Sequence, residues 1–460
     1  MRVANLIDGA WRADGSEIAV FDKYHLSEAY RLPSATPRDV DDALAAATSY
    51  AAAPPPERAA CLRRAADLIE DRRDAIRAAM VVEAGFPLKD ADGEINRALA
   101  TLRLSAEEAT RIAGDVVPFD GAIAGRMGFT IRVPVGVVVA ITPFNAPLNT
   151  PCHKLGPALA AGNAVILKPS EKTPGPAAHL VSALLDAGFP PGAVQMLHGG
   201  AEVARALLAD PRPAFYAFTG STKVGAAIHA AAGLRRTQME LGSIASTIID
   251  ADADLEVAAK KCAGASFRKA GQVCTSIQTL YVARSVHDAF LGHYVTAARQ
   301  LVAGDPTDPA TDIGPMISED AAERVETMFD GAHILLGGTR ERSLMQPTII
   351  TEPTDAFLTE EAFGPVAAVI PIDTLSDAIN RVNATPYGLA TGLFTQDITA
   401  ALNAARRLHV GGVHINETSS SRVDLMPYGG VKASGFGQEG PRYAIREMTE
   451  ERLITVSGLA

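Results

Sequence analysis

Five short strand-like runs, the first of them continuously apolar, alternate with helical stretches and constrain this chain more than any other feature. Val137–Thr142, Ala164–Leu167, Val194–Leu197, Phe215–Phe218 and Thr237–Leu241 read as strands, with Ala177–Ala187, Glu202–Ala209 and Lys223–Ala232 as helices between them. Continuous apolar runs belong to strands buried on both faces. Alternation of such strands with helices predicts a parallel sheet covered by helices on either side. Ligands on these sheets bind beyond the carboxyl ends of the strands, so the residues just after each run are the first to inspect.

Upstream, Asp39–Thr48 and Arg58–Met80 carry helical periodicity, separated by Pro54-Pro55-Pro56, and Asp92–Ile112 reads as a third helix ending before Gly114. A second α/β stretch opens near Ser243. It has helices at Asp254–Ala270 and Val286–Leu301 and strands at Thr279–Val282, Ala367–Pro371, Gly392–Phe394 and Gly412–Ile415. Gly128–Val133 and Arg452–Val456 read as further strands. At 460 residues and 47% hydrophobic composition, several cores are possible and dominant disorder is excluded. The net charge of −11 argues against general nucleic-acid binding. Cys61, Cys152, Cys262 and Cys274 form no CxxC and no zinc site, so no metal is expected. The N-terminus lacks a signal-peptide core and no run is long enough for a membrane span, so a cytoplasmic setting without membrane partners is expected.

The strand ends carry suitable chemistry. Asn145 follows the first run in Thr142-Pro143-Phe144-Asn145; its amide can donate to an oxyanion, or close an Asx-type turn. Lys168 and Glu171 follow the second and suit ribose hydroxyls, or an ordinary solvated loop. Gly220-Ser221 opens a helix after the fourth, where backbone N–H groups meet a phosphate, although Ser221 also reads as a plain N-cap. Glu240 ends the fifth. Cys274, in Gly-Gln-Val-Cys-Thr-Ser, lies in a non-periodic polar break. A free thiol is only about 3% ionised at pH 7 and needs help to react. Cys61 and Cys262 read as packing residues, and Cys152 stays open.

Taken together these segments resemble the aldehyde dehydrogenase superfamily. Thr-Pro-Phe-Asn (142–145), Leu-Lys-Pro-Ser-Glu (167–171), Phe-Thr-Gly-Ser (218–221), Met-Glu-Leu-Gly (239–242), Gly-Gln-Val-Cys (271–274), Glu-Glu-Ala-Phe-Gly-Pro (360–365) and Pro-Tyr-Gly-Gly-Val-Lys-Ala-Ser-Gly (427–435) occur in the family's order. The block at 426–456 is similar to the lactaldehyde, glyceraldehyde, sulfolactaldehyde and phosphonoacetaldehyde branch. The resemblance implies a Rossmann-like cofactor domain at 1–112 and 135–242, an α/β catalytic domain at 243–440, and a small β-arm at 113–134 and 441–460 joining a homodimer or homotetramer.

It also implies roles. Cys274 would be the nucleophile, Asn145 and the Cys274 N–H the oxyanion hole, and Glu240 the base. Thr142, Pro143, Phe144, Lys168, Glu171, Gly220, Ser221, Leu241, Glu361 and Phe363 would line the cofactor site. The aldehyde would become a thiohemiacetal, then by hydride loss a thioester, then with water a carboxylate. Glu171 would accept from a ribose 2′-hydroxyl and repel a 2′-phosphate, favouring NAD, with NADP possible. Arg268, His153, Arg422 and Thr275 would hold the substrate. Ala146 opens the wall that an aromatic residue often closes. Arginine matches anions, so the reading is a small polar, anionic aldehyde. The alternatives are a neutral hydroxyaldehyde of the lactaldehyde type, CoA acylation, or Arg268 and Lys269 as a mere solvated helix end.

Overall fold

The computed structural model describes residues 3–119 and 125–458. An eight-stranded sheet forms the first half. Its centre is five parallel strands, in spatial order Val194–Met196, Ala164–Lys168, Val137–Ile141, Pro213–Thr219 and Arg236–Glu240. Antiparallel strands flank them, Asn5–Ile7 and Ala10–Arg12 at one edge and Gly435–Phe436 at the other. The pleat sends alternate residues to opposite faces. Val138 and Ala140 pack against the helices Pro55–Asp71, Leu88–Ala109, Asn149–Ala161 and Pro174–Asp186. Val137, Val139 and Ile141 pack against Pro37–Ser49, Ala201–Ala209 and Thr222–Ala232. Covered faces are why every residue of Val137–Ile141 is buried, each large side chain contributing roughly 1.5–3 kcal/mol.

The second half holds a seven-stranded sheet, parallel except for its edge strand His333–Leu336. Its inner strand Ala245–Ile249 is not among the strands expected from the sequence. A three-stranded antiparallel sheet joins Thr449–Ser457, Arg126–Pro134 and Val116–Val117.

Three expectations need correction. Arg58–Met80 is two helices, because Arg72 (φ −98°, ψ 9°) leaves the helical region with no proline or glycine to announce it. The helix expected to run to Ala270 ends at Phe267, and Lys269 (φ 51°) and Ala270 (φ 52°) turn left-handed. Residues 441–448 do not belong with the β-arm. The helix Pro441–Glu447 inserts Ile445, and Met448 follows, into the first core, while Gly435–Phe436 returns to the first sheet. Among the described residues no helix is long and apolar enough to cross a membrane, and no His/Cys/Asp/Glu group forms a metal cluster.

Candidate active site

One cleft of about 570 Å³ lies where the carboxyl ends of the first sheet face the second half of the chain. It is lined by Thr142, Pro143, Phe144, Asn145, Lys168, Glu171, Gly220, Ser221, Glu240, Leu241, Arg268, Cys274, Thr275, Glu361, Phe363 and Arg422. Of the candidates read from sequence, His153 alone is absent from this lining. It is buried behind Arg422, with Nε2 at 2.9 Å from Asp424 and Nδ1 unpartnered. Burial and the Arg422 charge lower its pKa. Cys152 is likewise buried, within the first core.

Cys274 sits in the turn between the left-handed residues and the strand Ile277–Ala283. The Asn145 amide donates to the Gln272 carbonyl at 2.8 Å, two residues before it. A buried ion pair braces both: Lys269 Nζ lies 2.8 Å from Glu94 and donates to the Asn145 carbonyl at 3.2 Å. Glu94 in turn accepts from the Asn149 N–H at 2.9 Å. Burial opposes the Glu94 carboxylate, yet Lys269 holds its pKa below the ordinary value. The reading of Lys269 as a solvated helix end is therefore replaced. Lys269→Met leaves Glu94 as an unpaired buried charge. Unfolding experiments should show about 3 kcal/mol lost; an unchanged midpoint would mean that the pair does not brace the turn.

Burial raises the Cys274 thiol well above its usual range, and the Glu240 carboxylate adds to the rise. Glu240 is 3% exposed, with Oε1 unpartnered. Burial and nearby Glu439 push its pKa up to about 8. Glu439 behaves oppositely. Burial works against its charge, but Lys154 at 2.8 Å and Arg422 at 2.7 Å hold it well below the carboxylate range. Two neighbouring carboxylates are thus driven apart, one poised to exchange a proton near neutrality and one fixed as an anion.

Lys154, Glu439, Tyr428, Arg97 and Asp424 went unnoticed in the sequence. Lys154 had a signal, being the one lysine in a helix buried all round. Arg97 and Asp424 pair at 2.7 Å across 327 positions, which no local pattern reveals. Burial opposes the Asp424 charge, but His153 and Arg97 lower its pKa strongly.

The arginines differ in commitment. Arg422 is paired with Glu439, and Arg97 with Asp424. The Arg268 side chain makes no ion pair or hydrogen bond with any described residue, and its Nε is buried without a partner. Burial lowers its pKa, with Asp90 the chief charge opposing the shift. The Thr275 hydroxyl meets Ser420 Oγ at 3.2 Å.

The other end of the cleft fits a dinucleotide. Thr142 Oγ1 is buried and unpartnered. Lys168 Nζ and Glu171 stand 3.6 Å apart at the mouth of a strand. A Cβ on Gly225 would lie 2.2 Å from Leu241, so the helix opened by Ser221 packs close to the sheet. Ser221 is an N-cap, accepting from the Val224 N–H at 3.4 Å, and lines the cleft as well. Phe144 and Phe363 meet edge to face at 5.9 Å. Burial raises Glu361 to about 7, although it accepts from the Ser243 N–H at 2.8 Å.

The sequence pattern of the aldehyde dehydrogenase family matches residues 11–454. The chain belongs to that family. It is 45% identical to the 3-sulfolactaldehyde dehydrogenase of Priestia aryabhattai, over 98% of this chain and 97% of that protein. The crystal structure of aldehyde dehydrogenase 21 from Physcomitrella patens, in complex with the reaction product succinate, superposes with a TM-score of 0.95 at 34% identity, covering 99% of this chain and 98% of that one. The NADP-dependent glyceraldehyde-3-phosphate dehydrogenase of Bacillus halodurans C-125, complexed with NADP, superposes at 0.97 with 32% identity over the whole of both chains.

Proposed function

We propose that this aldehyde dehydrogenase oxidises a small aldehyde bearing an anionic group to the corresponding carboxylate, using NAD in preference to NADP. The observation that carries the substrate class is Arg268. A guanidinium whose Nε is buried without a partner is costly to keep, and a bound anion completes it by bidentate pairing. The relatives agree in kind: one is named for a sulfonated aldehyde, one was crystallised with the dicarboxylate succinate, and one is named for a phosphorylated aldehyde. Lactaldehyde dehydrogenase of Methanocaldococcus jannaschii, 36% identical, keeps the neutral reading as the outcome to test against.

In this scheme Cys274 attacks the aldehyde carbon, and Asn145 with the Cys274 N–H holds the oxyanion. A nicotinamide held beside Phe144 and Phe363 would supply the hydride acceptor. Glu240 then takes a proton from the water that attacks the thioester. Glu171 with Lys168 would hold the adenosine ribose, Glu361 the distal ribose, and Phe144 and Phe363 the nicotinamide end. Glu240 is also what disfavours CoA as the acyl acceptor. Exposed Val116, Met127 and Leu453 on the three-stranded sheet suit pairing with a second copy, as a dimer or tetramer. The enzyme would work in the cytoplasm.

Arg268→Met tests the anion site. We expect kcat/KM for anionic aldehydes such as succinic semialdehyde or sulfolactaldehyde to fall about ten- to hundredfold, the range of a charge-assisted hydrogen bond. Neutral lactaldehyde should change little. Equal losses on both classes, or none, would remove Arg268 from substrate binding.

A further inference from the structure

Tyr428 has no part in the reaction as described so far, yet its hydroxyl lies 2.7 Å from Cys274 Sγ. Its ring is stacked under Arg422, whose guanidinium carbon is 3.6 Å from the ring centroid. Both are held by a single residue. The Glu439 side chain accepts from Arg422 at 2.7 Å. The Glu439 backbone donates to the Tyr428 carbonyl at 2.7 Å and accepts from the Tyr428 N–H at 3.1 Å. The phenol is therefore aimed at the sulfur by a fixed frame.

We propose that Tyr428 is a further catalytic residue, whose hydroxyl donates to the Cys274 sulfur as the thiolate forms, with Arg422 as the positioning residue that aims it. The proposal rests on reading Cys274 as the nucleophile. In the thiol form either partner can donate; once the sulfur is ionised only Tyr428 can. The thiol proton passes to Glu240, and the phenol keeps its own. A cation over the ring face attracts the π-electrons and makes the hydroxyl a better donor. The charges facing the sulfur are mixed. Glu240 and Glu361 oppose a thiolate, while Arg268 and Arg422 favour it. Burial adds to the opposition, and the Tyr428 donor pulls the other way. A close neutral donor stabilises the thiolate without adding another buried charge. It also leaves Arg422 committed to Tyr428 and Glu439, and so moves it from substrate recognition to nucleophile activation.

Tyr428→Phe removes the donor and keeps the ring. The probe is iodoacetamide, with the rate of Cys274 alkylation followed by mass spectrometry across pH on the full-length protein. We expect the midpoint to rise by about one pH unit, the scale of one charge-assisted hydrogen bond. Below that midpoint, acylation in a single turnover should slow about tenfold, with KM little changed. An unchanged or lower midpoint overturns the proposal. Arg422→Lys keeps the charge but loses the planar stack. It should give a smaller rise, and it carries the test if Tyr428→Phe does not fold; no rise there overturns the proposal equally. Cys274→Ser separates the two levels of the argument. If that variant turns over like the parent, the reading of the whole site fails. If it is inactive while Tyr428→Phe leaves the midpoint in place, only the role of Tyr428 fails.

Discussion

Cys274→Ala is expected to lower turnover of every aldehyde by at least about 10⁴-fold, the scale seen when a covalent nucleophile is removed. Binding of the dinucleotide, measured by titration, should persist, because Thr142, Lys168 and Glu171 stand at the ends of the strands Val137–Ile141 and Ala164–Lys168 and are untouched by the substitution. No other thiol can substitute. Cys61 and Cys152 are buried in the first core, and Cys262 is buried in the second. Thermal unfolding should stay near that of the parent, since the Cys274 side chain is only part of a cleft wall and leaves no closed cavity. Retention of more than about a hundredth of the activity would show that the reaction does not run through a covalent intermediate on this residue, and the proposed chemistry would have to be abandoned.

Asn145 and Glu240 were legible as cleft-lining residues because they stand at strand ends, and Cys274 because it falls in a non-periodic polar break between a helix and a strand. A strand buried on both faces can hold few polar residues, so polar groups immediately beyond its end stand out and are aimed at one edge of the sheet. The same logic located Lys168, Glu171 and Ser221 at strand ends. The strand Ala245–Ile249 escaped because Ser246 and Thr247 interrupt its apolar run, although both are buried. Side chains that meet only through tertiary folding were not legible. Tyr428 reaches Cys274 across 154 positions, and Asp424 reaches His153 across 271. His153 was misplaced for the same reason. The helix after Asn145 is correctly positioned, but it is buried all round, so its phase relative to the cleft cannot be read from a hydrophobic stripe. The break at Lys269 is a further case. Two non-glycine residues in left-handed geometry are held there by Asp90, which accepts from the Lys269 N–H at 3.2 Å, and by the close approach of Gly271 to the Gly364 carbonyl. Local propensity would have continued the helix.

Glu240→Gln should separate the two halves of the reaction. Thiol ionisation can equilibrate with solvent before the aldehyde arrives, so acylation should slow but survive. Attack of water on the thioester has no such route, because its proton must leave during the attack itself. Steady-state turnover should therefore fall about 10²- to 10⁴-fold, with a burst of reduced nicotinamide approaching one per site and an acyl group on Cys274 visible by mass spectrometry. The pH dependence gives an independent reading. Burial and Glu439 place the Glu240 pKa at about 8. Below that value the carboxyl holds its proton and cannot accept another; above it the carboxylate can. Turnover limited by hydrolysis should thus rise with pH through about 8 in the parent, and this limb should vanish in Glu240→Gln. Free CoA should not restore the parent rate to the variant unless the acyl group is destined for a thiol. Full turnover in the variant without a burst would remove Glu240 from hydrolysis. The unpartnered Oε1 would then need another explanation, because Glu439, held as an anion by Lys154 and Arg422, binds protons too weakly to replace it.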